Sequence, residues 1–287
     1  MDNVSELKNL WKTIISIAGE AAGYLRDLRE QREDLWTIVK KQELYRDVAR
    51  RIDIVAEEYI LDLIKHNQLD AMIISEESGC IKLCSKPQYI FVIDPLDGSV
   101  NYLLGLPWCS VSIAVAPFFN EGKTKLRDIV VGAIASISEG KIYSFIKEKG
   151  TFIGFQSVKK TNPQVKLLLG YSNTMKWCKI VNVIRKIHEG KIAVRNLGCA
   201  SLEIVYVGIG MAKAFIDLRA KLRNVDIAAA IGFIKEHNVP YTSLHMDVDE
   251  LPIDKLEKIP SLIVAEDNET LNIIKQLSEI NHSINTG

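Results

Sequence analysis

Residues 93–102 read IDPLDGSVNY. The apolar run YIFVI (89–93) ends there, and two aspartates, Asp94 and Asp97, follow three residues apart. Two carboxylates about 4 Å apart repel by roughly 4 kcal/mol at an effective dielectric of ~20. Either they point apart into water or something positive sits between them. Pro95 stiffens the turn predicted between them, Gly98 permits close backbone approach, and Ser99 adds a hydroxyl.

The same pattern occurs upstream. AMII (71–74) reads as a buried strand and runs through Ser75 into Glu76 and Glu77. Acids just beyond the C-terminal ends of strands lie where open α/β sheets bind ligands. In the second half, Asp226 opens the helical run DIAAAIGFIKE. The plain role of such an aspartate is helix capping, worth about 1 kcal/mol. Oxygen donors at this density, without His or Cys among them, suit a hard cation such as Mg2+. Amides after Gly98 make an anion cradle if a helix begins there. Metal on one side of a short loop and phosphate on the other imply phosphoryl chemistry.

The chain around this loop has 287 residues, 47% hydrophobic and 25% charged, with 36 basic and 36 acidic residues. That composition is globular, and zero net charge points to neither nucleic acid nor a membrane surface as partner. No apolar run approaches the ~20 residues of a membrane span, and MDNVSELKNL is too polar for a signal peptide. Cys80, Cys84, Cys109, Cys178 and Cys199 are odd in number and form no CxxC, so they read as reduced thiols of a cytoplasmic protein, each expected buried. Leu10, Ile14, Ile17, Ala18 and Ala21 predict an N-terminal helix, and RRIDIVAEEYILDLIK (50–65) predicts a second. Residues 26–46 between them are dense in charge and read as a solvated helix or connection, or as a lid over a site. An antiparallel meander is predicted over DIVVGAIASIS, KIYSFI and GTFIGF. Strands and helices alternate beyond it, which indicates α/β layers. The boundary is placed near Thr161-Asn162-Pro163, giving subdomains 1–162 and 163–287.

Asp94-Pro95-Leu96-Asp97-Gly98-Ser99 resembles the D-P-[IL]-D-G-[TS] signature of the inositol monophosphatase superfamily. SEESG (75–79), Gly198-Cys199-Ala200-Ser201 and Val225-Asp226-Ile227-Ala228-Ala229 resemble three further family segments, in order, over roughly residues 10–280. The texture of ARRIDIVAEEYI, NLGCASLEIVYVGIGMAKAFIDLR and KLRNVDIAAA is similar to archaeal-type members acting on fructose 1,6-bisphosphate and inositol 1-phosphate. The resemblance implies a layered αβαβα sandwich, usually in a homodimer, and an Mg2+-dependent phosphatase of small phosphorylated sugars or polyols. It implies two or three Mg2+ ions per site. Glu76, Asp94 and the Leu96 carbonyl would hold one. Asp94, Asp97 and Asp226 would hold a second, with a third near Glu76 and Glu77. A metal-activated water would attack in line, positioned by Ser99 (where the family more often has Thr) working with Asp53 and Glu76. The family's threonine before that aspartate is Arg50 here. Phosphate would rest on the amides of Gly98 and Ser99. Arg195, Gly198, Cys199, Ala200, Asp217, Arg219 and Arg223 would lie on the sugar side. Arg219 and Arg223 could grip a second phosphate or be surface charge. Ala230 and Glu236-His237-Asn238 depart from the family's glycines and would reshape the pocket floor or a dimer surface.

Other motifs fail. A P-loop ending at Gly122-Lys123-Thr124 would need glycine at Pro117, and a dinucleotide fingerprint at Gly208–Gly210 would need it at Lys213. No EF-hand loop occurs. The rival readings are a 3′,5′-bisphosphate nucleotidase of the same superfamily and a non-catalytic protein on this fold.

Overall fold

A strand with apolar residues on both faces needs cover on both sides, and the apolar strands of this chain alternate between two cores. The computed structural model describes residues 3–31, 38–41 and 48–279, with side chains over 5–30 and 51–279. In β5 (Tyr89–Asp97), which follows β3 (Ala71–Ser75) and β4 (Gly79–Lys82), Phe91 and Ile93 enter one core while Ile90 and Val92 enter another. Ala71 and Ile73 of β3 join the first, and Met72 and Ile74 the second. The short β1 (Ile38–Lys41) and β2 (Val48–Arg50) pair only with each other.

The large sheet continues through β6 (Ser110–Pro117), β7 (Val131–Ser136), β8 (Ile142–Ile146), β9 (Gly150–Ile153) and β10 (Gln156–Ser157). Its eight strands lie in the order β10-β9-β8-β7-β6-β5-β3-β4, and only β3 and β5 run parallel. The expected meander is its β7–β9 portion. The smaller sheet contains β11 (Lys166–Tyr171), β12 (Ile192–Arg195), β13 (Ala212–Asp217), β14 (Tyr241–Thr242) and β15 (Leu262–Ala265), in the order β12-β11-β13-β15-β14. Thr161-Asn162-Pro163 lies between β10 and β11, on the connection from one sheet to the other.

Seven helices complete the described layers. α1 (Asn3–Gln31) and α2 (Arg51–His66) cover the outer face of the large sheet. A five-residue helix, α3 (Ser99–Leu103), follows β5. α4 (Lys176–Ile187) and α7 (Asn268–Glu279) cover the outer face of the small sheet. Between the sheets lie α5 (Ala200–Gly208), which contacts strands of both, and α6 (Asn224–Lys235), which packs on β5–β8 of the large sheet and on α5. The order is therefore αβαβα. The inner helices are apolar nearly all round because they are covered on nearly every side, whereas α4 buries only a stripe through Ile180 and Ile184.

Several expectations change. Asp94–Asp97 is not a turn: β5 runs to Asp97, with Asp94 opposite Ser112 and Asp97 opposite Ser110, so three steps on one strand face two on the other. Pro95 fits this β-bulge because it has no N–H to give the ladder. α1 extends to Gln31, so residues 26–31 are its last turns. The lid expected over 26–46 falls largely on 32–37 and 42–47, which lie outside the described residues. All five thiols are free, but only Cys109 and Cys199 are buried; Cys80, on the edge strand β4, and Cys178, on the outer helix α4, are exposed. Glu236 and His237 do not line the cavity described below: Glu236 accepts the Glu148 and Gly150 amides, both at 2.9 Å, and His237 pairs with Thr151 Oγ1 at 2.8 Å, pinning the β8–β9 turn.

The inner layer is tightest at Phe145 of β8. A Cβ on Gly232 of α6 would lie 2.0 Å from its Cζ, and one on Gly132 of β7 2.6 Å from its Cε1. Gly232→Ala should therefore cost roughly 1–3 kcal/mol in urea unfolding, as overpacked cores do. Phe145→Leu in the same chain should recover most of that loss. A Gly232→Ala chain as stable as the parent would show that the helix can retreat.

Candidate active site

Three separate elements deliver the acids. Glu76 follows β3, Asp94 sits at the bulge of β5, and Asp226 is in the first turn of α6. Each offers a carboxylate oxygen within 4.8 Å of the other two. They line a cavity of about 380 Å3 together with Leu96, Asp97, Gly98, Ser99, Gly198, Ala200, Arg219 and Arg223. Burial, then Glu76, pushes Asp226 up to about 8, against the lowering effect of Arg223. Burial, then Glu76, Asp97 and Asp226, holds Asp94 well above the usual carboxylate range. Such a cluster stores repulsion that protons, a guanidinium or a metal can offset. All-oxygen donors this close, in a buried pocket, fit a hard divalent cation.

Asp226 also performs its plain role. Its Oδ2 accepts the Arg223 amide at 2.8 Å, capping α6. Arg223 in turn reaches over the cluster: its Nη2 donates to Glu76 Oε1, and its Nε lies 4.0 Å from Asp226 Oδ1. The positive group nearest these acids in this structure is an arginine of the chain itself, on Glu76 and Asp226 rather than between Asp94 and Asp97.

Asp97 is occupied differently. Its Oδ2 accepts the Ser201 amide at 2.7 Å, the Ser201 hydroxyl at 2.6 Å and the Cys199 thiol at 3.2 Å; Oδ1 accepts the Ala200 amide at 3.2 Å. It thus receives the N-terminus of α5, where a carboxylate is favoured by the orphan amides and the helix dipole. Burial raises the Asp97 pKa while these bonds lower it. Next to it Gly98 has φ 84°. A Cβ there would meet Trp108 O at 2.9 Å and Gly198 O at 3.0 Å, so the loops at 98 and 198 pack backbone against backbone. Asn101 stitches them by donating to Trp108 O at 2.7 Å and Leu197 O at 2.6 Å. Ser99 begins α3 on the cavity wall.

The opposite wall is a network. Asp217 is 1% exposed and accepts Arg219 Nε and Nη2, the latter at 2.6 Å. The Arg219 guanidinium stacks 4.1 Å from the centre of the Tyr171 ring. The Tyr171 hydroxyl accepts the Gly198 amide and donates to Glu203 Oε2 at 2.7 Å, while Glu203 Oε1 accepts the Leu197 amide at 2.9 Å. Arg219 is therefore a fixed wall rather than a solvated surface charge.

Two expected residues stand apart. Asp53 is half-buried on α2 and does not line the cavity. Arg195, at the end of edge strand β12, is exposed, donates to Val194 O at 2.8 Å, and does not line it either. Cys199 lies beneath the wall with its thiol on Asp97. The side chain of Arg50 lies outside the described residues. Sequence reasoning missed Tyr171, Glu203, Asn101, Lys221 and Glu57. Glu57, 3% exposed, accepts the Glu77 amide at 3.1 Å and the Ser78 amide at 3.2 Å, holding the turn that carries Glu76. Its signal was present: it falls on the apolar stripe of Ile60 and Ile64, where an acid needs a buried partner. Glu203 was legible in the same way, as the one acid of a helix otherwise almost wholly apolar.

The fold and the site together define a layered α/β protein with a carboxylate-rich cavity at the strand ends. The chain belongs to the inositol monophosphatase family, whose family model matches residues 6–282. An inositol-1-monophosphatase of Aeropyrum pernix is 31% identical over 271 residues, covering 93% of this chain and 97% of that one. A fructose-1,6-bisphosphatase/inositol-1-monophosphatase of Methanothermobacter thermautotrophicus is 32% identical over 195 residues, 66% of this chain and 68% of that one. Among solved structures, an inositol monophosphatase–fructose 1,6-bisphosphatase superposes with TM-score 0.72 at 26% identity, over 96% of this chain and 100% of that one. The family and these relatives are phosphatases.

Two substitutions test the supporting groups. Glu57→Ala strands two amides and should cost roughly 1–3 kcal/mol in chemical unfolding; an unchanged midpoint would mean water replaces the carboxylate. Burial raises Glu203 to about 8 from 4.5. The folded chain then binds a proton that the unfolded chain releases near 4.5, so this contribution to stability is full below 4.5 and lost as pH rises through 8. Glu203→Gln should flatten the fall in stability between pH 5 and 8.5. Parallel pH profiles for the two chains would refute the raised value.

Proposed function

We propose that this chain is an Mg2+-dependent phosphomonoesterase that hydrolyses fructose 1,6-bisphosphate and inositol 1-phosphate. The observation that carries the reading is the convergence of Glu76, Asp94 and Asp226 on one cavity with Gly98 and Ser99, in a chain of a phosphatase family. A bound divalent cation supplies Lewis-acid charge, which lowers the pKa of a water and offsets charge on phosphoryl oxygens. Glu76, Asp94 and Asp226 would hold such cations, two or three in number, with Asp97 and the Leu96 carbonyl completing their shells.

The remaining roles belong to side chains and amides. The Gly98 and Ser99 amides receive a phosphoryl oxygen, and the Ser99 hydroxyl orients the attacking water, assisted by Glu76; Asp53, away from the cavity wall, has no direct part in this reading. Tyr171, Gly198 and Ala200 form the wall against which a sugar or polyol ring lies, and Arg219 supplies fixed positive charge beside it. Arg195, exposed on the far strand, has no part in this reading for a single copy. No protein nucleophile is required; in-line attack with preorganised charge stabilises the transition state. The five free thiols accord with a reducing compartment, and the reading is of a cytoplasmic homodimer.

Among the described residues no helix is long and apolar enough to cross a membrane.

The purified protein should release phosphate from fructose 1,6-bisphosphate and inositol 1-phosphate with Mg2+ and lose that turnover in EDTA. Asp94→Asn should lower the rate by roughly a hundredfold or more, as removal of one preorganised charge does. Turnover of adenosine 3′,5′-bisphosphate alone would replace the substrate and keep the chemistry. Bound Mg2+ without turnover of any would favour a non-catalytic role.

A further inference from the structure

Arg223 occupies a position that the phosphatase reading leaves unexplained. Its guanidinium is not aimed at an open subsite. It bonds Glu76 through Nη2 and stands 4.0 Å from Asp226, so it spans two of the three clustered carboxylates. The other cavity arginine differs: Arg219 is held by Asp217 and Tyr171, outside the cluster. Burial draws the Arg223 pKa down, but Glu76 and Asp226, with Asp94, push it higher still, so the group stays charged.

The Arg223 backbone is anchored independently of its side chain. Its amide donates to Asp226 Oδ2, its strand-like bridge pairs it with Lys258, and the next amide, of Asn224, donates to Glu257 O at 2.9 Å. The Asn224 side chain donates to Pro252 O at 3.0 Å and Lys255 O at 2.7 Å. The side chain can therefore leave Glu76 without disturbing the α6 cap. The guanidinium bonds only Glu76 directly, which leaves the Asp94 and Asp226 carboxyl groups to a divalent cation whose binding displaces their protons. Glu76 cannot serve both fully at once.

Resting on the metal reading above, we propose that Arg223 is the resident counter-cation of this cavity. It holds Glu76 while the cluster is free of metal and gives up that carboxylate when a divalent cation binds. Two consequences have opposite signs. Without metal, Arg223 stabilises the fold by offsetting buried like charge. Towards metal, Arg223 is a competitor and lowers affinity. Once released it remains on the cavity wall, where its guanidinium adds positive charge for a phosphoryl group. A side chain that merely oriented Glu76 for metal would raise metal affinity instead.

The test is Mg2+ titration calorimetry on EDTA-treated protein, for the parent chain, Arg223→Gln and Arg223→Lys, with melting temperatures in EDTA and in saturating Mg2+. Arg223→Gln should melt lower than the parent in EDTA, regain most of that difference in Mg2+, and bind Mg2+ about tenfold more tightly, the scale of one lost close charge. Arg223→Lys, a point charge of shorter reach, should fall between. Inorganic phosphate should bind the Mg2+-loaded Gln variant more weakly than the loaded parent. If the Gln variant does not fold without metal, the Lys variant carries the same comparison. Equal or weaker Mg2+ binding by folded variants, beside a parent that binds, would overturn the exchange and leave the phosphatase reading standing. A parent that binds no Mg2+ at all would overturn both.

Discussion

Buried like charge is the constraint on which the rest of this molecule depends. Glu76, Asp94 and Asp226 bring oxygens within 4.8 Å of one another, in surroundings where burial alone raises the carboxylate pKa values of the two aspartates. Such an arrangement survives only where other parts of the fold hold each acid in place. Asp226 is held by capping its own helix and Glu76 by the turn that Glu57 grips. Asp94 is held by the bulge, where its Oδ1 accepts the Leu96 amide at 3.1 Å.

The layering explains how acids distant in sequence meet. β3 and β5 are parallel neighbours, so their C-terminal ends lie at one edge of the large sheet. α5 and α6, sandwiched between the sheets, present their N-termini there: α5 to Asp97, and α6 with Asp226 in its first turn. Helix N-termini favour negative charge, so the inner layer contributes to the electrostatics of the site as well as to the core. The tight Phe145–Gly232 contact sets how close α6 comes to the large sheet, and with it where Asp226 stands.

The second wall extends this arrangement. Asp217, Arg219, Tyr171, Glu203 and the Gly198 amide form a continuous chain of contacts from β13 through β11 to α5. Charge is therefore distributed unevenly around the cavity. Arg219 is locked in this chain, whereas Arg223 is tied only to the cluster that cations would enter. Two arginines four residues apart in sequence thus have different freedom, and that difference underlies the exchange proposed for Arg223.

The local rules of the chain were legible directly. Continuous apolar runs such as YIFVI gave strands covered on both faces, the acids after them fell at one edge of the large sheet, and the DPLDGS hexapeptide carried the family. Those features depend on neighbours in sequence, through backbone sterics and side-chain alternation. Long-range pairing decided the remainder. The apparent turn at Asp94–Asp97 became a bulge because β6 runs alongside it with Ser112 and Ser110 as partners. Arg195 fell outside the cavity because its strand is an edge, and Tyr171, Glu203 and Asn101 entered because loops 100 residues apart close on Gly98 and Gly198. The sequence by itself determined which residues carry charge and which strands must be buried. Only the tertiary structure decided which charges face one another, because Coulomb energy depends on distance through space and not along the chain.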